Sequence, residues 1–218
     1  MSILDIFRDK PWTAEQALAD NLHNGQAIAA PIKKVGLRVF LGVVGSFFLL
    51  LVVAYIMRME YTDWRTIPIP LFLWINTAVL ILSSLAFQWA RVSAARERTD
   101  DLKIAMAAAG ILTIVFLVGQ FVAWRELGAA GYYASTNPAN GFFYLLTAVH
   151  GAHMIGGLVA WAGAAGRLWR GGDAQRTRMS VDLCAAYWHF LLAVWLVVFA
   201  LLATGKGIQV ILTICGLR

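Results

Sequence analysis

The sequence predicts an all-α integral membrane protein of five transmembrane helices, with a cytoplasmic N-terminus and a periplasmic C-terminus. Three observations predict it. Of the 218 residues, 60% are hydrophobic and only 14% charged, against about 45–50% and about 25% in soluble domains. Mean hydropathy is +0.69. The apolar residues gather into five stretches close to the ~20 residues that cross a hydrocarbon core, and the basic residues stand between those stretches. The net charge of +6 then reads as a device for membrane orientation, and no nucleic-acid partner is expected.

Each element follows from its borders. Residues 1–35 are expected to form a cytoplasmic arm, in which Thr13 and Gln16 have capping-box spacing just after Pro11-Trp12 and predict an interfacial helix. Asp5 and Asp9 interrupt the only early apolar stretch, so no cleavable signal peptide is expected. The five spans are placed at 36–57, 69–90, 104–124, 142–165 and 184–204 within a bundle of residues 36–204. Asp63-Trp64-Arg65 with Pro68 and Pro70 separates the first two. A charged linker runs from Arg91 to Lys103, and a Gly/Ala/Asn/Pro loop from Gly128 to Gly141. The segment from Arg167 to Asp182 holds four arginines. The tail, 205–218, contains an apolar run of about ten residues, too short to span, and is expected to lie at the interface. Neither an internal repeat nor a second soluble domain is evident.

Orientation comes from counting lysines and arginines. The arm through Arg38 carries five, the second loop four and the fourth loop four, so thirteen of the eighteen fall on one side. The positive-inside rule makes that side cytoplasmic. Cys184 and Cys215 form no CxxC pair and predict no disulfide framework.

The polar content of the spans limits function. All twelve acidic residues lie outside the five predicted spans, whereas pumps and ion carriers mark their pathways with intramembrane carboxylates. Small and polar residues inside the spans predict close helix packing and interhelical hydrogen bonds: Gly42, Gly45 and Ser46 in the first, a stripe of Asn76, Leu80, Ser83 and Phe87 with Thr77 and Ser84 in the second, Thr113 and Gln120 in the third. Trp64, Trp124, Tyr132 and Tyr133 are expected as anchors at the outer interface. Arg91, Arg167 and Arg170, at inner-leaflet depth, suit anionic lipid headgroups as well as orientation.

Three histidines lie in spans, and histidine is the commonest metal ligand. A haem held by His153 and His189 would make the chain a free-standing membrane cytochrome. Helix rise puts His153 roughly 18 Å from the inner end of its span and His189 about 7 Å from the same end, a mismatch for two axial ligands. On a helical wheel His150, His153, Met154, Gly157, Trp161 and Ala164 share one face, and Leu145, Ala148, Ala152, Ile155 and Val159 the other. The first face suits a packed interior or a partner, and Gly156 and Gly157 let a neighbouring helix approach. With Asn76, Trp188 and His189, these residues are the expected packing and partner interface, and neither a catalytic residue nor a metal ligand is expected in this chain.

The segment that opens Asn137-Pro138-Ala139-Asn140-Gly141-Phe142-Phe143, continues to His150-Gly151-Ala152-His153 and ends at Gly156-Gly157 closely resembles the fourth-span signature of haem-copper terminal oxidase (cytochrome c oxidase) subunit III in its short, five-helix bacterial form. Leu73-Trp74-Ile75-Asn76-Thr77 with Ser83-Ser84, Gly119-Gln120 through Trp124-Arg125, and Tyr187-Trp188-His189-Phe190 with Val194-Trp195-Leu196 resemble the second, third and last spans. The resemblance implies a non-catalytic subunit of an oxygen-reducing oxidase in the bacterial plasma membrane. It implies haem and copper in partner subunits, none in this chain, bound phospholipid between the helices, and packing on catalytic subunit I that supports its proton uptake. Two positions depart from the family pattern: Val44 stands where a glutamate is usual and Leu192 where an aspartate is usual. These losses point to a divergent branch, with a protein associated with nitric oxide reductase or with oxidase assembly as the alternative.

Overall fold

The computed structural model describes residues 25–203 except 66 and 69, with side chains from Ile32 onward. The expected interfacial helix around Thr13 and the tail after 204 lie outside the described residues. Among the described residues five α-helices follow one another: α1 Gly25–Arg58, α2 Leu71–Ala95, α3 Thr99–Ala129, α4 Pro138–Trp169 and α5 Ala174–Ala203. Each contains a stretch long and apolar enough to cross a membrane. Two compact units divide at Phe40 and Leu41, and the bundle belongs to the second.

The helices outrun the predicted spans at most of their ends. A hydropathy window sees only the hydrocarbon-depth turns, while the helices continue through polar turns at either interface. Asp100, Asp101, Glu126 and Asp182 therefore sit in helices, each within the first or last three turns.

Helices α2, α3, α4 and α5 form a ring in which α2 packs on α3, α3 on α4, α4 on α5 and α5 on α2. Their contacts show antiparallel neighbours throughout. Along α2 and α5 the pairs are Thr77–Trp195, Ser84–His189 and Arg91–Asp182. Along α3 and α4 they are Met106–Trp161 and Trp124–Thr147. The buried stripe of α2 includes Leu73, Asn76, Thr77, Leu80, Ser83, Ser84 and Phe87, the small-and-polar face read from its sequence. Lipid is as apolar as leucine, so helices in a membrane associate by close packing and hydrogen bonds. That is why the buried stripe carries the polar residues.

Local chemistry sets the ends. Asn137 caps α4, its side chain accepting from the Ala139 amide at 3.2 Å with Pro138 in the first turn. The same side chain donates to the Arg65 carbonyl, tying the α1–α2 loop to the start of α4. Gly131 and Gly171, just past the ends of α3 and α4, adopt φ of +85° and +70°, a conformation that favours glycine.

Helix α1 differs from its expected packing. Gly42 and Ser46 are exposed, and the Ser46 hydroxyl returns to the Gly42 carbonyl of its own helix at 2.9 Å. A serine hydroxyl satisfied within its own turn has no need of a neighbour. The buried positions are instead Val44, Phe48 and Tyr55, of which Phe48 lies against His150 and His153 of α4 and Tyr55 against Phe142 of α4. Trp64 and Trp124 also differ from free interface anchors. Trp64 packs edge-on against Tyr55 at 4.9 Å, and Trp124 spends its indole N–H on the Thr147 hydroxyl at 3.0 Å.

Candidate functional site

All four ring helices meet at one polar centre. Thr113 on α3 donates to the Ala109 carbonyl of its own helix at 2.8 Å. Its oxygen accepts the indole N–H of Trp188 on α5 at 3.0 Å, and Ser83 on α2 lies 2.9 Å away. Trp188 is fully buried, tilted over Phe87 of α2 with centroids 4.3 Å apart, and its far edge rests on α4 at Gly157. A Cβ at Gly157 would lie 2.9 Å from Trp188 Cη2 and 2.7 Å from Tyr187 Cε1. Nearby, Trp195 donates to Thr77 at 3.0 Å and Asn76 to the Phe116 carbonyl at 3.1 Å.

The three span histidines face three different surroundings. His150 is fully buried among rings: Trp195 with centroids 4.9 Å away, Phe116 at 5.9 Å and Phe48 at 6.3 Å. His153 is half-buried. Its Nδ1 donates to the Val149 carbonyl one turn back at 2.8 Å, and its ring lies against Phe48. His189 turns toward α2, with Nδ1 2.6 Å from the Ser84 hydroxyl and Nε2 3.2 Å from the Gln88 amide oxygen. An amide oxygen only accepts, so Nε2 carries the proton and Ser84 donates to Nδ1. His153 and His189 are thus directed at different helices, and His189 has both nitrogens engaged. Among the described residues no three His, Cys, Asp or Glu side chains stand together as a metal site.

The remaining expected residues divide between packing and surface. Asn76 and Trp188 are buried and Trp161 half-buried, its indole N–H donating to the Met106 carbonyl at 3.0 Å. Gly156 is exposed, with open space where a Cβ would stand. The three arginines are exposed. Arg91 bridges to Asp182 at 3.2 Å, Arg167 donates to Ser180 at 2.9 Å and Arg170 to the Gly166 carbonyl at 3.0 Å.

Two close approaches have no counterpart in the sequence reading. A Cβ at Gly110 would run into the Trp161 ring, and one at Gly119 into the Asn76 amide. Both glycines face a large or polar side chain of another helix, a pairing that single-helix periodicity does not reveal. A third is Asp63, which pairs with Arg58 across the end of α1, at 2.7 Å for one of its two hydrogen bonds. That bond holds the Asp63 carboxyl below its ordinary value of 3.8. A lowered carboxyl stabilises the fold above the unfolded value, and the contribution is lost as pH falls from there through the folded value. The pair is surface-exposed and its effect small. The drop in thermal midpoint between pH 7 and pH 3 should be shallower in Asp63→Asn than in wild type, and equal drops would disprove the coupling.

A family model for cytochrome c oxidase subunit III matches residues 63–204, which takes in all four ring helices and their polar centre. The chain belongs to the cytochrome c oxidase subunit III family. Cytochrome c oxidase subunit 3 of Thermostichus vulcanus is 31% identical over 130 residues, covering 59% of this chain and 63% of that protein. A probable cytochrome c oxidase subunit 3 of Rickettsia bellii is 32% identical over 127 residues, 57% of this chain and 45% of that one. The Synechocystis subunit 3 is 28% identical over 176 residues, 78% of this chain and 74% of its own length. The chain thus spans less than two thirds of the first two relatives. Of the two positions that the sequence reading expected to depart from the family pattern, Val44 is buried in α1 and Leu192 half-buried in α5. Only Leu192 falls within the matched residues.

Proposed function

We propose that this chain is the non-catalytic subunit III of a respiratory haem-copper oxidase of the cytochrome c oxidase type. In this reading it packs on catalytic subunit I in the bacterial plasma membrane, with its N-terminus cytoplasmic, and the haem and copper belong to partner subunits. The observation that carries it is the family match over the whole four-helix ring. The residue chemistry agrees. His189 is committed to Ser84 and Gln88, and the indole N–H groups of Trp161, Trp188 and Trp195 each bind another helix of the ring, so the polar groups lock the bundle. A locked block with wide apolar outer faces, such as Leu145, Ile155 and Val159 of α4, suits a partner that supports another subunit's chemistry.

The test is capture of the chain from native membranes in mild detergent, followed by reduced-minus-oxidised and carbon-monoxide difference spectra. A stoichiometric haem-bearing partner with a colourless separated chain is expected. Haem that travels with the isolated chain would overturn the reading and make His153 and His189 its candidate ligands.

Bound phospholipid belongs to the same proposal. Arg91, Arg167 and Arg170 lie near the helix ends on the proposed cytoplasmic side, where guanidinium groups meet anionic headgroups. Arg170→Gln combined with Arg167→Gln should reduce the anionic phospholipid that copurifies, measured by mass spectrometry of the extracted lipid. Unchanged lipid content would remove these residues from the site.

A further inference from the structure

Four polar atoms in the middle of the bundle have no hydrogen-bond partner among the described residues: both ring nitrogens of His150 and both amide atoms of Gln120. His150 is fully buried and Gln120 is 3% exposed. They stand on the neighbouring antiparallel helices α4 and α3, and the register brings them to one level. One turn before Gln120, the Phe116 ring lies edge-on to His150. One turn after it, Trp124 donates to Thr147, three residues before His150. Gln120 therefore sits between the two α3 residues that touch the His150 turn.

Other polar groups near this turn are already engaged. The Trp195 N–H goes to Thr77, and the Thr147 hydroxyl donates to the Phe143 carbonyl while accepting from Trp124. Native proteins rarely leave buried polar atoms unbonded, because each has given up its bonds to water, and the hydrocarbon core offers no solvent in exchange.

We propose that a single ordered water molecule is bound between Gln120 and His150. The chemistry matches: the glutamine amide offers two donors and an acceptor, and an uncharged imidazole one of each. A buried water makes about three hydrogen bonds with such groups. A direct bond between the two side chains would use one atom of each and leave the others orphaned, whereas a bridging water adds both a donor and an acceptor. The water would join α3 to α4 at mid-membrane, between the Trp161–Met106 bond at one end and the Trp124–Thr147 bond at the other.

A structure of the full chain crystallised from a lipid mesophase, at a resolution that shows ordered solvent, should place a water peak within hydrogen-bond distance of both side chains. Gln120 bonded directly to His150 without such a peak overturns the proposal. Thermal midpoints of Gln120→Met, His150→Phe and the double variant give a second reading. Each single change should lower the midpoint by about 2–4 °C. The double variant should lose clearly less than the sum, since the second change removes a group already deprived of its bridge. Additive losses also overturn the proposal. Should the variants fail to assemble, the native structure decides alone.

Discussion

Replacing Gly157 with leucine is expected to destabilise the bundle by about 1–3 kcal/mol, the range for overpacking a close-packed core. The cost arises at the first atom added, because a Cβ there would lie 2.7 Å from Tyr187 Cε1 and 2.9 Å from Trp188 Cη2. Neither ring has an easy retreat. Trp188 is tilted over Phe87 and tethered through its N–H to Thr113, and the Tyr187 hydroxyl donates to the His153 carbonyl at 2.9 Å. Moving either breaks a buried hydrogen bond or pushes α4 away from α5. The adjacent residue supplies the control, since Gly156 meets nothing within 4 Å. Gly156→Leu should melt close to wild type in detergent, while Gly157→Leu should melt several degrees lower. Gly157→Leu should also copurify less chain per haem if the chain serves an oxidase. Similar midpoints for the two variants would show that Gly157 does not set the approach of α4 to α5.

These two glycines also show how far the sequence could be read. The helical wheel put Gly157 on a face with His150, His153, Met154, Trp161 and Ala164, of which His153 and Trp161 are half-buried and the other four buried. Leu145, Ala148, Ala152, Ile155 and Val159, on the opposite face, are exposed. That division was legible because helical periodicity is a property of one helix alone. Which of two consecutive glycines touches a neighbour follows from the same wheel, but what it touches does not. Trp188 is 31 positions further along the chain, and only the antiparallel register of α4 and α5 brings it to Gly157.

Most of the less legible features depend on a second helix. Gly110 beneath Trp161 and Gly119 beside Asn76 are fixed by the pairings of α3 with α4 and α2. Ser46 reads as a packing residue by composition, yet its hydroxyl is satisfied inside α1. Trp124 has the residue type of an interface anchor, and its location three turns past Thr113 on α3 instead sets it against Thr147. Composition states that a polar or small side chain is tolerable in a span, while its partner depends on which face of which helix lies opposite.

Thr113 is where that dependence carries the most energy, because one hydroxyl serves three helices. Thr113→Val keeps the shape of the side chain and removes only its hydrogen bonding. Ser83 retains an acceptor in the Ala109 carbonyl at 3.1 Å. Trp188 does not, and its N–H would be left buried and unpaired in a fully enclosed site. Interhelical hydrogen bonds in membranes average about 0.6 kcal/mol and reach about 1.7, while an orphaned buried donor costs about 1–3 kcal/mol. The expected loss is therefore about 1–2 kcal/mol, read as a lower unfolding midpoint in detergent. Thr113→Ser retains the oxygen and should recover most of it. In a Trp188→Phe background, where the donor is already gone, Thr113→Val should cost much less than in wild type. An equal cost in both backgrounds would mean that the loss comes from α3 itself, and that the polar centre does not couple the helices through this bond.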